Sequence, residues 1–167
     1  MQPGPQPIAI VTTGGTIDKA YFDALSTYQI GEPVVKKLLD GANVTHPYRI
    51  VELLRKDSLE LTDEDRQRLK ETVAALDERH VVITHGTDTM TDSAIVLAAI
   101  PEKTIVLTGA LSPARFSDSD ATFNIGMAFA AAQTLPPGVY VAMNGSVFRG
   151  DEVRKDRDQR RFVAKSE

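Results

Sequence analysis

The sequence contains no cysteine. A thiolate zinc site, an iron–sulfur cluster and a cysteine nucleophile are therefore excluded, and the absence fits a reducing compartment. Charge of one sign is also lacking, since 19 Lys+Arg stand against 23 Asp+Glu for a net −4. That balance has the wrong sign for gripping a phosphate backbone, so no nucleic-acid partner is expected. No apolar run is long enough to span a bilayer. The opening Met1-Gln2-Pro3-Gly4-Pro5-Gln6-Pro7 lacks the basic and apolar regions of a secretory leader. The expectation is a cytoplasmic protein with no membrane partner. Internal repeats, low-complexity tracts and Gly/Ser linkers are missing too. At 167 residues, 42% of them hydrophobic, the chain reads as a single domain over 1–167, with 1–7 flexible and 156–167 a candidate solvated tail or interface.

What is present is an alternation. Short β-branched runs at Ile8–Val11, Tyr48–Leu53, Val81–Thr84, Thr104–Thr108 and Val139–Met143 read as strands. Between them lie helical segments: Pro33–Leu39, one beginning at Thr62, and the alanine-rich Ser93–Ile100 and Asn124–Thr134. Thr62 can cap its helix while Asp65 completes a capping-box-like pattern, and Leu69, Val73 and Leu76 then share one face. Strands alternating with helices predict an α/β fold, a Rossmann-like three-layer sandwich with a mostly parallel sheet and helices on both faces. In such sheets, ligands bind beyond the carboxyl ends of the strands.

Three of those strand ends carry glycine beside hydroxyls: Thr12-Thr13-Gly14-Gly15-Thr16-Ile17, Thr84-His85-Gly86-Thr87-Asp88-Thr89 and Thr108-Gly109-Ala110. Glycine permits a tight turn and a close backbone approach to a ligand. Neither a Walker A lysine nor the G-x-G-x-x-G spacing is present, so phosphate and dinucleotide binding are not indicated. The competing reading is structural, with threonines or Asp88 capping turns and the next helix. Three matching chemistries at three strand ends favour a site.

The first two segments, the second read as Ile83–Met90, resemble the two signatures of the bacterial-type L-asparaginase family. Leu107–Pro113, Phe123-Asn124 and Val141–Gly145 resemble further parts of its N-terminal domain. The resemblance implies hydrolysis of L-asparagine to L-aspartate and ammonia through a threonine acyl-enzyme, with weak or no glutaminase activity. It puts the nucleophile at Thr16, which needs a proton acceptor and a positioned donor because a threonine hydroxyl is a weak nucleophile. Thr87, Asp88 and Lys155 match the family's Thr-Asp-Lys cluster, Lys155 through Arg149–Lys155. Thr87 is either a second nucleophile or an activator of water. A mobile-lid tyrosine is either Tyr21 or Tyr28, one catalytic and the other packing the lid. Gly15, Asp57, Ser58, Gly86 and Ala110 fall around the substrate, with Asp88 also receiving the substrate ammonium. Donors for the oxyanion are the Thr87 backbone N–H or a bound water.

Outside the resemblance, Lys155 is one charge in a dense mixed run and reads as solvated. His46, His80 and His85 form no metal-ligand spacing and read as structural or surface groups; no metal or cofactor is implied. Most members of the family carry a further domain that completes a neighbouring subunit's site, and this sequence offers no counterpart. The expectation is a homo-oligomer, dimer or tetramer, with the Phe129-bearing Asn124–Thr134 helix as a packing surface. The rival function is an amino-acid-binding or regulatory domain that keeps the pocket without turnover. Thr16, Thr87, Asp88 and Lys155 together argue against it, because a binder has no need of all four.

Overall fold

A computed structural model describes residues 4–166. In chain order the elements are β1 (Ile8–Gly14), β2 (Lys19–Phe22), β3 (Thr27–Ile30), α1 (Val35–Gly41), β4 (Tyr48–Lys56), α2 (Asp63–Ala75) and β5 (His80–Thr84). There follow α3 (Met90–Leu97), β6 (Thr104–Thr108), α4 (Ala121–Thr134), β7 (Gly138–Met143), β8 (Ser146–Arg149), β9 (Val153–Asp156) and β10 (Arg161–Ala164). The central sheet has the order β4-β1-β5-β6-β7-β8. Its first five strands run parallel and β8 returns antiparallel to β7.

β1 is buried along its whole length because both of its faces are covered. Ile8 and Ile10 pack with Val35 and Leu39 of α1 and Ile125, Ala128 and Ala132 of α4. Val11 packs on the opposite side with Leu69 and Val73 of α2 and Met90, Ala94 and Leu97 of α3. The expected three-layer α/β sandwich is thus observed, and it leaves the carboxyl ends of β1, β5 and β6 facing one common edge. The Thr62 hydroxyl accepts the Asp65 N–H at 3.2 Å while the Asp65 carboxylate accepts the Thr62 N–H at 3.0 Å, which completes the capping box at the start of α2.

Several boundaries differ from expectation. α3 opens at Met90 rather than Ser93, and α4 at Ala121, where the Ser119 hydroxyl accepts the Ala121 N–H. Phe129 does not form an outer packing surface: it is buried with its ring edge-on to His46 and Tyr48. The exposed aromatic of that helix is Phe123. The β2–β3 hairpin was not anticipated, nor was β8. The reading of 1–7 as flexible falls partly on residues 1–3, outside the described residues; residues 4–7 are exposed, and the Gln6 carbonyl lies 2.9 Å from His46 Nε2.

The solvated-tail reading of 156–167 is corrected for Arg161–Ala164, and residue 167 lies outside the described residues. β10 pairs antiparallel with β9, and Phe162 and Val153 are buried against the α2/α3 side of the sheet. A single inward phenylalanine in an otherwise charged stretch is enough to dock the hairpin, because its burial contributes about 2–3 kcal/mol. Phe162 stands opposite Lys155 in the β9–β10 register, so its packing fixes where Lys155 lies. Among the described residues, no helix is long and apolar enough to cross a membrane.

Phe162→Ala should destabilise the protein by about 3–5 kcal/mol in urea unfolding monitored by circular dichroism. A change below about 0.5 kcal/mol would restore the tail reading.

Candidate active site

Two glycines bring the strand-end loops together. Gly15 has φ 91°, and a Cβ there would lie 2.5 Å from Gly86 Cα and N. A Cβ on Gly86 would lie 2.6 Å from Ser58 Cβ. The backbones of Gly15 and Gly86 and the side chain of Ser58 are therefore stacked at a spacing no side chain can enter. This stack sets Thr16 and Thr87, the residues that follow the two glycines, side by side.

Thr16, Thr87, Asp88 and Lys155 line one cavity of about 350 Å³, closed by Leu111, Arg157 and Arg160. Lys155 Nζ donates to Thr87 Oγ1 and to Asp88 Oδ1, each at 2.8 Å. Arg157 Nε lies 3.6 Å from the same carboxylate oxygen. Ser58 is buried beneath this group: its hydroxyl accepts the Asp88 N–H at 3.1 Å and its carbonyl accepts the Thr89 hydroxyl at 2.8 Å. The side chain of Thr89 is thus committed to Ser58 and does not cap α3. Thr13 and Thr108 likewise donate to the carbonyls of Thr84 and Ala142 on neighbouring strands. Part of the hydroxyl clustering at the strand ends is therefore sheet stitching.

The structure does not bring every expected residue to this cavity. Gly15, Gly86 and Ala110 are buried beneath the loops. Asp57 caps the turn at Ser58–Glu60 by accepting the Leu59 N–H at 3.0 Å and pairs with Lys19 at 3.5 Å. It lines a separate cavity of about 560 Å³, shared with Lys19 and Tyr28. Tyr21 and Tyr28 face each other across β2 and β3 with ring centroids 5.3 Å apart, both half exposed, and neither lines the Thr16 cavity. Tyr28 also meets Phe116 edge-on at 6.0 Å. Arg157 and Arg160 were missed, since a dense mixed run gives no sign of which charges will line a cavity. No group of three acidic, histidine or cysteine side chains among the described residues could hold a metal ion.

The sequence matches the family described as Asparaginase, N-terminal, over residues 7–165. It is 33% identical over 158 residues to an L-asparaginase of Thermococcus kodakarensis, covering 89% of this chain and 47% of that one. A glutaminase-asparaginase of Acinetobacter glutaminasificans is 33% identical over 166 residues, 89% of this chain and 49% of that one. The chain spans about half the length of the curated relatives it matches. Among solved structures, L-asparaginase I from Vibrio cholerae superposes with a TM-score of 0.85 at 26% identity, over 96% of this chain and 52% of that one.

Two buried titratable groups support the loops and oppose each other in pH. His85 is fully buried, and burial pushes its pKa down to about 4. Its Nδ1–H donates to the Gly86 carbonyl at 2.7 Å, leaving Nε2 to accept the Ser93 hydroxyl at 2.8 Å; the tautomer follows because a carbonyl only accepts. Asp18 closes the base of the β2–β3 hairpin: its carbonyl accepts the Gly31 N–H at 2.8 Å and its carboxyl accepts the Val34 N–H at 3.0 Å. Burial pushes the Asp18 pKa up to about 6, against the pull of the Val34 N–H and Arg115.

The stability due to neutral Asp18 is full below about pH 4 and is lost as pH rises through 6. The stability due to neutral His85 is full above about pH 6.5 and is lost as pH falls towards 4. Each is worth up to about 3 kcal/mol, so the two slopes nearly cancel between them. Asp18→Asn should raise stability at pH 7.5 by up to about 3 kcal/mol, a gain that vanishes by pH 4. Urea unfolding of both proteins at several pH values would show it, and parallel curves would refute the assignment.

Proposed function

The chain belongs to the asparaginase family, and from that premise we propose that it is an amidohydrolase converting L-asparagine to L-aspartate and ammonia with Thr16 as nucleophile. The observation that carries the reading is Lys155, whose ammonium bridges Thr87 Oγ1 and Asp88 Oδ1 at 2.8 Å in the cavity that Thr16 lines. A lysine held by one carboxylate and one hydroxyl beside a second hydroxyl is a costly arrangement to keep for packing alone.

In this reading Thr16 Oγ attacks the side-chain amide carbon, and its proton leaves with the departing ammonia. The resulting ester is hydrolysed by water, one proton of which returns to Thr16 while the other passes to the released ammonia, leaving carboxylate and ammonium. Because Lys155 donates to Thr87 Oγ1, the Thr87 hydroxyl keeps its own proton to direct elsewhere. We assign it to orienting the hydrolytic water, and the Thr87 backbone N–H to the oxyanion. Asp88 holds Lys155 in place. Glutamine is the poorer substrate, since one more methylene carries its amide past Thr16.

The hairpin β2–β3 is the lid. Tyr28 leans on Phe116 of the body, whereas the described ring contact of Tyr21 is to Tyr28 alone. Tyr21, which follows Thr16 closely in the chain, is therefore the tyrosine whose hydroxyl reaches Thr16 on closure, and Tyr28 packs the lid. Self-association is expected, with the exposed Phe123 of α4 on the associating surface.

Purified protein should release ammonia from L-asparagine in preference to L-glutamine and D-asparagine. Thr16→Ala should abolish release with an unchanged circular dichroism spectrum, and Lys155→Met should lower kcat by at least about 100-fold. Retained turnover in Thr16→Ala would remove the nucleophile assignment. Tyr21→Phe should cost at least about tenfold more kcat than Tyr28→Phe; equal losses would return the two tyrosines to parity.

A further inference from the structure

We propose that Asp18 is the hinge residue of the β2–β3 hairpin and that release of its proton frees the hairpin to swing, so that the flap beside Thr16 is latched in acid and mobile at neutral pH. This rests on the reading of that hairpin as the lid of an amidohydrolase site and names what governs the lid.

Geometry is the first support, because Asp18 meets the chain on both sides of the hairpin. Its N–H donates to the Gly15 carbonyl at 3.1 Å, and its own carbonyl accepts the Gly31 N–H at 2.8 Å. Its carboxyl accepts the Val34 N–H at 3.0 Å, just before α1. Gly31 permits this approach, since a Cβ there would lie 3.3 Å from the Asp18 carbonyl oxygen. Away from the base, the hairpin reaches the body through Tyr28, edge-on to Phe116, and through the Lys19–Asp57 pair at 3.5 Å. Tyr21 is half exposed and does not line the Thr16 cavity, so the hairpin must turn about its base before that hydroxyl can meet Thr16. One buried side chain stands where that movement has to begin.

Charge is the second. Asp18 is 3% exposed. Facing it are Glu52 and Arg55 of β4 and Arg115 from the segment between β6 and α4, while α4 itself carries no charged residue. Arg55 is paired with Glu52, and Arg115 acts on Asp18 from beyond ion-pair range. The two arginines favour the carboxylate, but burial outweighs them and lifts its pKa to about 6. Once the base opens and water reaches the carboxyl, it titrates near about 4. Above pH 6, opening therefore exchanges a buried anion for a hydrated one; between the two values it sends a proton to solvent; below both it moves no charge. The linkage raises the opening equilibrium by about tenfold from pH 5 to pH 7.5.

The test follows backbone amide exchange of β2 and β3, corrected for the intrinsic chemical rate, at pH 5 and 7.5. It compares wild type with Asp18→Asn, which keeps an acceptor for the Val34 N–H without a charge, and circular dichroism checks that the variant stays folded. Opening of the wild-type hairpin should rise about tenfold between the two pH values, a rise that the amides of β9 and β10 should not share. Asp18→Asn should exchange slowly and equally at both. The kcat for ammonia release from L-asparagine should likewise rise about tenfold in wild type with a midpoint near pH 6, and Asp18→Asn should lose that limb. Hairpin exchange that ignores pH in wild type would overturn the proposal, as would the same rise, in exchange or in kcat, in Asp18→Asn. Should wild type release no ammonia at any pH, the amidohydrolase reading falls by itself and the exchange data still decide the hinge. If Asp18→Asn does not fold, Arg115→Gln decides, since Arg115 is exposed: loss of that cation should move the midpoint of hairpin opening to higher pH, and an unmoved midpoint removes the assignment.

Discussion

The contact between the backbones of Gly15 and Gly86 is the constraint from which the rest of the site follows. Two parallel strands end at the same level, and the chain leaving each must turn sharply over the sheet edge. With a side chain on either residue the loops would be held apart by at least the width of a methyl group, and Thr16 would no longer stand beside Thr87. The left-handed φ of Gly15 adds a second reason that no other residue serves there. Ser58 closes the stack from the far side, bringing the end of β4 to the same point.

That contact persists because the layer beneath it is rigid. His85 lies directly before Gly86, and its two nitrogens tie the loop carbonyl to Ser93 on α3 without any charge being buried. On the opposite side of the sheet, Asp18 performs the corresponding task for the chain leaving Thr16, fastening the hairpin base to the residue just before α1. One group favours neutral pH and the other acid, both because burial disfavours charge. Between about pH 4 and 6 both anchors are neutral, whereas above pH 6 Asp18 holds the Val34 N–H as a buried carboxylate at a cost in stability.

The parallel sheet and its helices were legible because burial on both faces demands β-branched runs, and helices demand apolar spacing. β1, β5 and β6 satisfy the first without interruption, as Leu69 and Val73 satisfy the second. The two hairpins were not legible, since strands of four residues with charged and aromatic side chains on both faces carry no periodic signal. Thr16, Thr87 and Asp88 stand in motifs beside glycines, so their gathering could be anticipated. Lys155 was marked by resemblance alone. Its place in the cavity depends on Phe162 docking β10, a long-range packing event that no local pattern announces. Arg157 and Arg160 escaped for the same reason, and Asp57 lines the neighbouring cavity, held by its cap at Leu59 and its pair with Lys19.

The two hairpins divide the work that a site of this kind requires. β9–β10 is docked by a buried phenylalanine, so Lys155 is held against Thr87 and Asp88 before a ligand arrives and its desolvation is met once, on folding. β2–β3 is exposed along most of its length and is held at its base through Asp18. Its aromatic pair buries little of itself, and a segment with few buried contacts opens at low free energy. A docked hairpin that carries Lys155 to Thr87 and a loosely held hairpin that follows Thr16 suit the proposed reaction, in which the ionic contacts stand before the substrate arrives and water is excluded after it binds. The order follows from the physics: long-range charge acts on the approaching ligand while the site is open to solvent, and only the bound ligand supplies the apolar and polar contacts that can hold a flap closed.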